Sequence, residues 1–387
     1  AAAGAFEHVP GSGCCAPGAN ATPAGAAGCR RRCLAAEGCQ AWVAVPSDGS
    51  CFLVRWLAGV STAGEALRTA ADRITGFIAP RVSWAPAAGI RAPVCLYYSR
   101  EPAALRAEIA HAYGHRLGPG APPPAGAALQ GSAAEDLALL VSHGHYLDGG
   151  PVSAHAFRLL GHAGVPSTVL LLGTNHRGIG PRVALSAQPW LTPLGLAWPD
   201  HELLARLEAE GYPVDESGHA PEHSIENQLP FLQHLRPDVR IAPLGLSRLA
   251  SLEEAERLAR ALVAATRGRD VLLLATTDYT HAGGPYPEQP PAGMPLADFV
   301  RAQDAGVLEA VASGDPGRLL AAAEARGAHA PGMCGFWPAL VLMRAAALRG
   351  LSRVARRQYA VSIEAVPNDG ATGFASFTFA RPGSAAA

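Results

Sequence analysis

The sequence predicts an α/β protein in which a largely parallel β-sheet is flanked by helices. Short apolar runs such as 169–172 and Val271–Thr276 alternate with longer segments in which apolar residues recur at helical spacing, as in Leu252–Thr266. Strands and helices that alternate in this way form a largely parallel sheet covered on both faces. Six of the eight cysteines lie at or before Cys51, so we expect a separate disulfide-rich module ahead of the sheet.

Length and charge restrict the classes of function. A chain of 387 residues exceeds one ordinary core, so we expect two domains. Lysine plus arginine total 31 and aspartate plus glutamate 32, and the formal net charge of -1 argues against binding to nucleic acid or to an anionic membrane. The best candidate for a membrane span, residues 338–348, is too short and contains Arg344, so no transmembrane segment is predicted.

The cysteine-rich segment is the first predicted domain, residues 1–80. High cysteine density in a loop-rich stretch with few large aliphatic residues is typical of a disulfide framework, while closely spaced cysteines can also bind Zn²⁺. Disulfides are favoured because no C-x-x-C pair is present and Cys14 and Cys15 are adjacent. A disulfide framework predicts a secreted protein or one in the lumen of the secretory pathway.

A connector rich in proline and alanine, residues 80–93, leads into the second domain, residues 91–380. Helical periodicity, with Asp200 as a suitable N-cap and Gly211 as a suitable stop for one helix, predicts helices at 101–113, 200–210, 227–234, 252–266, 299–313, 316–326 and 336–349. Short apolar or alternating runs predict strands, of which the last two form an antiparallel pair. These strands are 96–98, 169–172, 183–185, 241–244, 271–276, 358–365 and 373–379.

The stretch 139–176 contains the clearest candidate site. One apolar run in it ends at His143 and His145, and the next, after a glycine-rich turn and a predicted helix, ends in a turn that carries His176. Ligands of open α/β sheets bind outside the carboxyl ends of the strands, so these histidines can converge on one metal ion or substrate. Two ordinary loop histidines are the alternative interpretation.

Five polar clusters lie in loops or at helix starts, and with a T-P-L segment they form an ordered set of motifs. In chain order these are SHGHY at 142–146, GTNH at 173–176, TPLG at 192–195, EHSIE at 222–226, TDYTH at 277–281 and MCG at 333–335. In this order residues 91–380 resemble the Memo family, whose motifs are an HAGY-type strand end, G-P-x-H, T-P-L, E-H-S-x-E, S-S-D-x-x-H and a late C-G. The chain departs from that pattern where S-H-G-H replaces P-H-A-G and where G-T-N-H replaces G-P-x-H.

The resemblance implies the fold of class III extradiol dioxygenases, in which two histidines and an acidic residue hold Fe²⁺ and another histidine acts as acid and base. By motif position, His143 and His176 are then metal ligands, and Cys334 takes the place of the carboxylate ligand. His281 stands at the acid–base position. A thiolate in place of a carboxylate makes copper or zinc as suitable as iron. The Memo family has been associated with iron or copper binding and with redox activity.

The chemistry of these residues favours the same roles. Two neutral imidazoles and a thiolate leave room for an exogenous ligand, as reactive metal sites do. Cys334 precedes a predicted helix, whose N-terminus lowers the pKa of a thiol, and a buried small apolar residue is the alternative. Asp278 can orient the imidazole of His281 for proton transfer, and a helix-capping Asp beside a surface His is the alternative.

Three further residues are candidates for binding a cofactor or ligand in the cleft. His223 and Glu226 are three residues apart and can share one helical face directed at the cleft. Glu226 can equally cap its own helix. His145 is a spare imidazole two residues after His143.

Residues 14–80 resemble a PAN/apple domain over the stretch CRRRCLAAEGCQAWVAVPSDGSCFLV. The resemblance implies a small α+β module in which disulfides join a helix to a sheet, and which binds a protein or a carbohydrate. The pairs that it implies are Cys33 with Cys39 and Cys29 with Cys51. Cys14 and Cys15 fit the pattern poorly, and one of them can reach Cys95.

The sequence therefore predicts a metal-dependent redox protein that binds one transition metal ion, iron or copper, with zinc also suitable. The alternative is a protein that binds a peptide or a small molecule in the same cleft and catalyses nothing. The absence of the dioxygenase carboxylate ligand, which Cys334 replaces, favours the alternative.

Overall fold

In the computed structural model the described residues are 90–91, 93–123, 136–326 and 332–383, with the backbone of five short strands nearer the N-terminus. Those strands are β1 (Phe6–His8), β2 (Ala41–Val45), β3 (Ser50–Val54), β4 (Leu67–Ala70) and β5 (Arg73–Phe77). They form an antiparallel sheet in the order β1-β3-β2-β5-β4. The side chains of this segment lie outside the described residues, and with them the predicted cysteine pairs and the resemblance to a PAN/apple domain.

The main sheet is mixed, which corrects the prediction of a largely parallel sheet. Its strands are β6 (Leu137–Val141), β7 (Thr168–Thr174), β8 (Val183–Leu185), β9 (Trp190–Thr192), β10 (Gly195–Pro199), β11 (Arg240–Leu246), β12 (Val271–Thr276), β13 (His281–Gly283), β14 (Arg353–Val361) and β15 (Gly370–Ala380). The central strands β6, β12, β7, β11 and β10 are parallel neighbours. Antiparallel strands flank them on both sides. On one side β9 pairs with β10, and on the other β15 pairs with β6, β13 and β14.

Helices cover both faces of this sheet. They are α1 (Pro102–Gly114), α2 (Gly150–Ala163), α3 (His201–Ala209), α4 (Leu229–Leu235), α5 (Leu252–Thr266), α6 (Leu296–Ala312), α7 (Pro316–Ala325) and α8 (Phe336–Leu348). Successive residues of β12 point to opposite faces, so Leu272 and Leu274 pack in one core with Phe157 of α2, and Leu273 packs in the other with Leu262 of α5. The central strands β6, β7 and β12 are therefore buried on both faces, and polar side chains follow their carboxyl ends.

Residues 96–98 form bends rather than the predicted strand. The N–H groups of Val94 and Cys95 donate to the carboxylate of Glu226 instead of to a neighbouring strand. Cys95 also has a φ of 49°, in the left-handed region, which interrupts any extended conformation. Asp200 is the N-cap of α3, as predicted, and accepts a hydrogen bond from a backbone N–H of the first turn. Among the helices in the described ranges, none is long and apolar enough to cross a membrane.

Candidate metal centre

Three neighbouring parallel strands carry polar residues to one edge of the main sheet. His143 comes two residues after β6, Asp278 two residues after β12 and His176 two residues after β7. These strands lie side by side in the order β6-β12-β7, so their carboxyl ends meet at the same edge. Cys334, just before α8, contacts His143 at this edge.

The side chains of His143, His176 and Cys334 converge. One nitrogen of each ring and the sulfur atom all lie within 4.8 Å of one another. The Cys334 Sγ is 3.1 Å from Nε2 of His143, and the ring centroids of His143 and His176 are 5.2 Å apart. Metal–ligand bonds of about 2.0 to 2.3 Å can join donors at this spacing to one ion. His143 is buried and the His176 side chain is 31% exposed, so the cluster opens to solvent beside His176.

His143 is held by bonds that leave Nε2 directed at Cys334. Its Nδ1 is hydrogen-bonded to the hydroxyl of Thr276, and its backbone N–H donates to Asp278 at 2.8 Å. The side-chain amide of Asn227 donates to its carbonyl oxygen at 2.9 Å. Burial, together with the neighbouring imidazole of His176, holds the pKa of His143 well below its ordinary value. The ring is therefore neutral, which is the form that binds metals.

His176 is paired with Glu222, a residue to which the sequence motifs assigned no role. The Nδ1 atom of His176 lies 3.0 Å from Oε1 of Glu222. Burial alone lowers the pKa of His176, but hydrogen bonds to Cys334 and Glu222 outweigh it and raise this pKa to about 10. Burial likewise raises the pKa of Glu222, and the hydrogen bond from His176 outweighs it and holds this pKa well below its ordinary value.

The thiol of Cys334 does not follow the prediction made from its position before a helix. Burial raises the pKa of Cys334 above its ordinary value, and the hydrogen bond with His176 opposes this rise without cancelling it. Burial outweighs the predicted lowering of the Cys334 pKa, because the sulfur lies among the ends of the sheet strands, where the charged thiolate loses hydration. A bound metal cation reverses this balance, since a thiol that coordinates a metal is deprotonated.

Within the described residues, Asp278 contacts His143 and not His281. Its Oδ2 is 3.8 Å from Nε2 of His143, and its backbone N–H donates to the Cys334 sulfur at 3.2 Å. Burial is the main reason that the pKa of Asp278 is raised to about 7. The ring of His281 instead packs edge-on against Tyr286, with the centroids 5.1 Å apart. Among the described residues no hydrogen bond or ion pair joins the Asp278 carboxylate to His281, and the role predicted for this pair stays a prediction.

Comparison with known proteins identifies the family of the larger domain. Residues 92–378 match the family model described as Memo-like protein. The chain belongs to the Memo family. A MEMO1 family protein of Methanothermobacter thermautotrophicus is 32% identical over 271 residues, which cover 69% of this chain and 90% of that protein. A MEMO1 family protein of Methanopyrus kandleri is 30% identical over 275 residues, which cover 69% and 89%. An uncharacterized protein of Escherichia coli K12 has a solved structure with a TM-score of 0.44 and 14% identity, covering 63% of this chain and 99% of that one.

In this Memo-family chain His223 lies next to the converging residues. Its ring stacks on that of His176, with centroids 4.8 Å apart and planes 10° apart, and meets the ring of Tyr97 edge-on at 4.9 Å. Burial lowers the pKa of His223 to about 4, so this ring is neutral. His145 lies further out, where its Nδ1 accepts the N–H of Leu147 at 3.1 Å and its ring is 6.5 Å from that of Tyr97.

Glu226 is not directed at the cleft of the Memo-family domain. Its carboxylate is fully buried and forms an ion pair with Arg91 at 2.5 Å. It also accepts the N–H groups of Val94 and Cys95 and the hydroxyl of Tyr98. Glu226 therefore anchors the start of the domain, and the structure does not bring it to the predicted cofactor-binding position.

Proposed function

We propose that this Memo-family protein is a metal-dependent redox protein that binds one transition metal ion through His143, His176 and Cys334. The observation that supports this most is the approach of two imidazole nitrogens and one sulfur to within 4.8 Å of one another at the carboxyl edge of the sheet. The His176 side chain is 31% exposed, so a small molecule or peptide can reach a metal bound at this edge of the sheet.

The donor set suits a transition metal. Imidazole and thiolate ligands favour copper, iron and zinc, whereas magnesium and calcium prefer oxygen. Three protein ligands leave a coordination position for an exogenous molecule, as in catalytic rather than structural sites. When bound, iron or copper supplies electron transfer, whereas zinc supplies only Lewis acidity. We therefore propose iron or copper as the functional metal.

His281 is the proposed group for proton transfer. The nitrogens that His143 and His176 present to the metal cannot act as bases, because their lone pairs are committed. His281 lies in β13, outside the converging set, with its ring against Tyr286. Burial lowers the pKa of His281, so its imidazole is neutral at physiological pH and can accept a proton.

A second candidate function is binding without catalysis. In the dioxygenases whose fold the resemblance to the Memo family implies, a carboxylate completes the metal site, and Cys334 occupies that motif position here. The same cleft can then bind a peptide or a small molecule with no metal present.

Metal analysis of the freshly purified protein tests the proposal. We expect about one equivalent of iron or copper in the wild type and a large loss of metal in His143→Ala and Cys334→Ser, because each removes one of three ligands. His155→Gln is the matched control, since this half-buried imidazole binds the carbonyl oxygen of Leu117 on another part of the surface. Unchanged metal content in both ligand variants contradicts the proposal.

Oxygen consumption separates the two candidate functions. Protein loaded with reduced iron or copper should consume oxygen in the presence of a substrate, and the metal-depleted protein should not. Protein that retains no metal but binds a ligand in the cleft supports the non-catalytic alternative.

We also propose that the N-terminal segment is a disulfide-stapled PAN/apple-like module of a secreted or lumenal protein. The density of cysteines before Cys51 and the antiparallel sheet β1 to β5 support this. Such a module binds a protein or a carbohydrate.

A further inference from the structure

Glu222 is the buried carboxylate next to His176. Its two oxygens lie 3.0 and 3.2 Å from Nδ1 of His176, and Oε2 also accepts the backbone N–H of that residue at 2.9 Å. Oε1 accepts the backbone N–H groups of His223 and Ser224 at 2.8 and 2.9 Å. The side chain is 3% exposed, so protein donors rather than water satisfy this carboxylate.

These contacts decide between two overlapping arrangements of donors. Atoms of His176, Glu222 and His223 also lie within 4.8 Å of one another, which makes Glu222 a candidate metal ligand. An ionised carboxylate has about four lone-pair sites, and N–H groups of the protein already occupy those of Glu222. A metal ion there must displace backbone N–H groups and leave them without acceptors. The group that contains Cys334 has no carboxylate and avoids this penalty.

We propose that Glu222 is a positioning residue that accepts the Nδ1 proton of His176 and so presents Nε2 of that ring to the metal. This inference rests on the proposed metal site and assigns the residue that orients one of its ligands. Carboxylates that accept the second N–H of a metal-binding histidine fix its tautomer and its ring orientation. The stacked ring of His223 holds the same imidazole plane from one face.

The two histidine ligands are then oriented in the same manner but by different chemical groups. The hydroxyl of Thr276 binds Nδ1 of His143, and the carboxylate of Glu222 binds Nδ1 of His176. His143 is buried and keeps a neutral partner, whereas the more exposed His176 has a charged one. The carboxylate raises the basicity of its imidazole, which strengthens that metal bond.

Substitution of Glu222 by glutamine tests this role, with Zn²⁺ and Co²⁺ as the probes. The amide of Glu222→Gln keeps the shape of the side chain but can offer a donor to Nδ1, which shifts the ring proton to Nε2. We expect Zn²⁺ affinity to fall about 10- to 100-fold while the thermal midpoint stays near that of the control. Glu216→Gln is the matched control, because that carboxylate also holds a loop through the backbone N–H groups of Ala187 and Gln188.

Spectroscopy distinguishes positioning from simple loss of structure. In the Zn²⁺-loaded wild type, ¹⁵N NMR should show the zinc-bound nitrogen of His176 to be Nε2 and a slowly exchanging proton on Nδ1, and Glu222→Gln should lose that slow exchange. The Co²⁺ form of both proteins should retain the charge-transfer band of a thiolate ligand. Equal affinity and unchanged proton exchange in Glu222→Gln overturn the inference and leave the metal site standing. A Co²⁺ spectrum without a thiolate band makes Glu222 a ligand instead, and a wild type that binds neither metal overturns both proposals.

Discussion

His281 and the proposed metal ligands His143 and His176 are chemically alike and differ in what surrounds them. His143 is enclosed by Thr276, Asp278 and Cys334, whereas the ring of His281 contacts Tyr286. An imidazole whose two nitrogens are both engaged at a metal site has no free lone pair for a proton. The proposed division of roles between ligand and base therefore rests on the contacts and not on residue type.

Replacement of His281 by glutamine should leave metal content unchanged and lower turnover of a demonstrated substrate by about 10² to 10⁴. The reason is that glutamine preserves hydrogen bonding but cannot exchange a proton at neutral pH. His155→Gln is the control, because that half-buried ring bonds the carbonyl oxygen of Leu117 and belongs to no candidate site. Loss of metal from the His281 variant would identify His281 as a ligand, and full activity would assign the proton transfer to another group.

Glu226 should matter for stability and little for metal affinity. Glu226→Ala leaves the guanidinium of Arg91 buried without its charged partner, and breaking a buried pair in this way costs about 3 to 5 kcal/mol of unfolding free energy. Urea unfolding measures the change. Asp298→Ala is the control, since Asp298 is an exposed partner of Arg301 and its loss should be hard to detect. A small effect at Glu226, or a large loss of bound Zn²⁺ with stability unchanged, contradicts this interpretation.

The close contact between the end of β12 and the start of α8 sets the position of the Cys334 thiol. Gly335 follows Cys334 directly and donates its N–H to the hydroxyl of Thr277. A Cβ atom at Gly335 would clash with the backbone oxygen of Thr276 and with Thr277. Only glycine therefore allows α8 to start this close to the strand, so the backbone contact and the placement of Cys334 are linked.

Gly335→Ala should reduce both the stability of the fold and the affinity for metal. Pushing α8 away from β12 is an overpacking change, for which we expect about 1 to 3 kcal/mol in chemical unfolding, and it displaces Cys334 from His143. Gly306→Ala in α6 is the matched control, because no atom would meet its new Cβ. That control should be stabilised by about 0.5 to 1 kcal/mol. Full metal affinity in Gly335→Ala would show that Cys334 does not depend on this contact.

The N-terminal segment should be covalently stapled, since a short stretch with few large aliphatic residues cannot be stable on burial alone. Peptide mapping without reductant is expected to find Cys33 joined to Cys39 and Cys29 joined to Cys51. The half-buried Cys334 provides the control, because it should be recovered as a thiol after metal is removed. Finding these four N-terminal thiols free, or bound to zinc, rejects the module as proposed.

Much of the architecture is readable from local pattern. Alternating apolar runs and helical segments predict an α/β fold because each element's periodicity is encoded within its own residues. The motif order predicts the Memo family, which the family model confirms over residues 92–378. The histidines after β6 and β7 are predictable for the same reason, since adjacent parallel strands end at one edge whatever fills the rest of the chain.

What pattern cannot decide is the direction of a side chain whose partners are far away in sequence. Glu222 and Glu226 occur in one short motif, yet Glu222 turns to His176 while Glu226 turns to Arg91. The second choice depends on Arg91, which the sequence placed in a connector, and on Tyr98, which it placed in a strand that folds as bends. Asp278 likewise faces His143 across the sheet edge instead of its neighbour in sequence, His281. Strand and helix periods are local, but which buried donors a carboxylate satisfies is settled only when distant segments pack together.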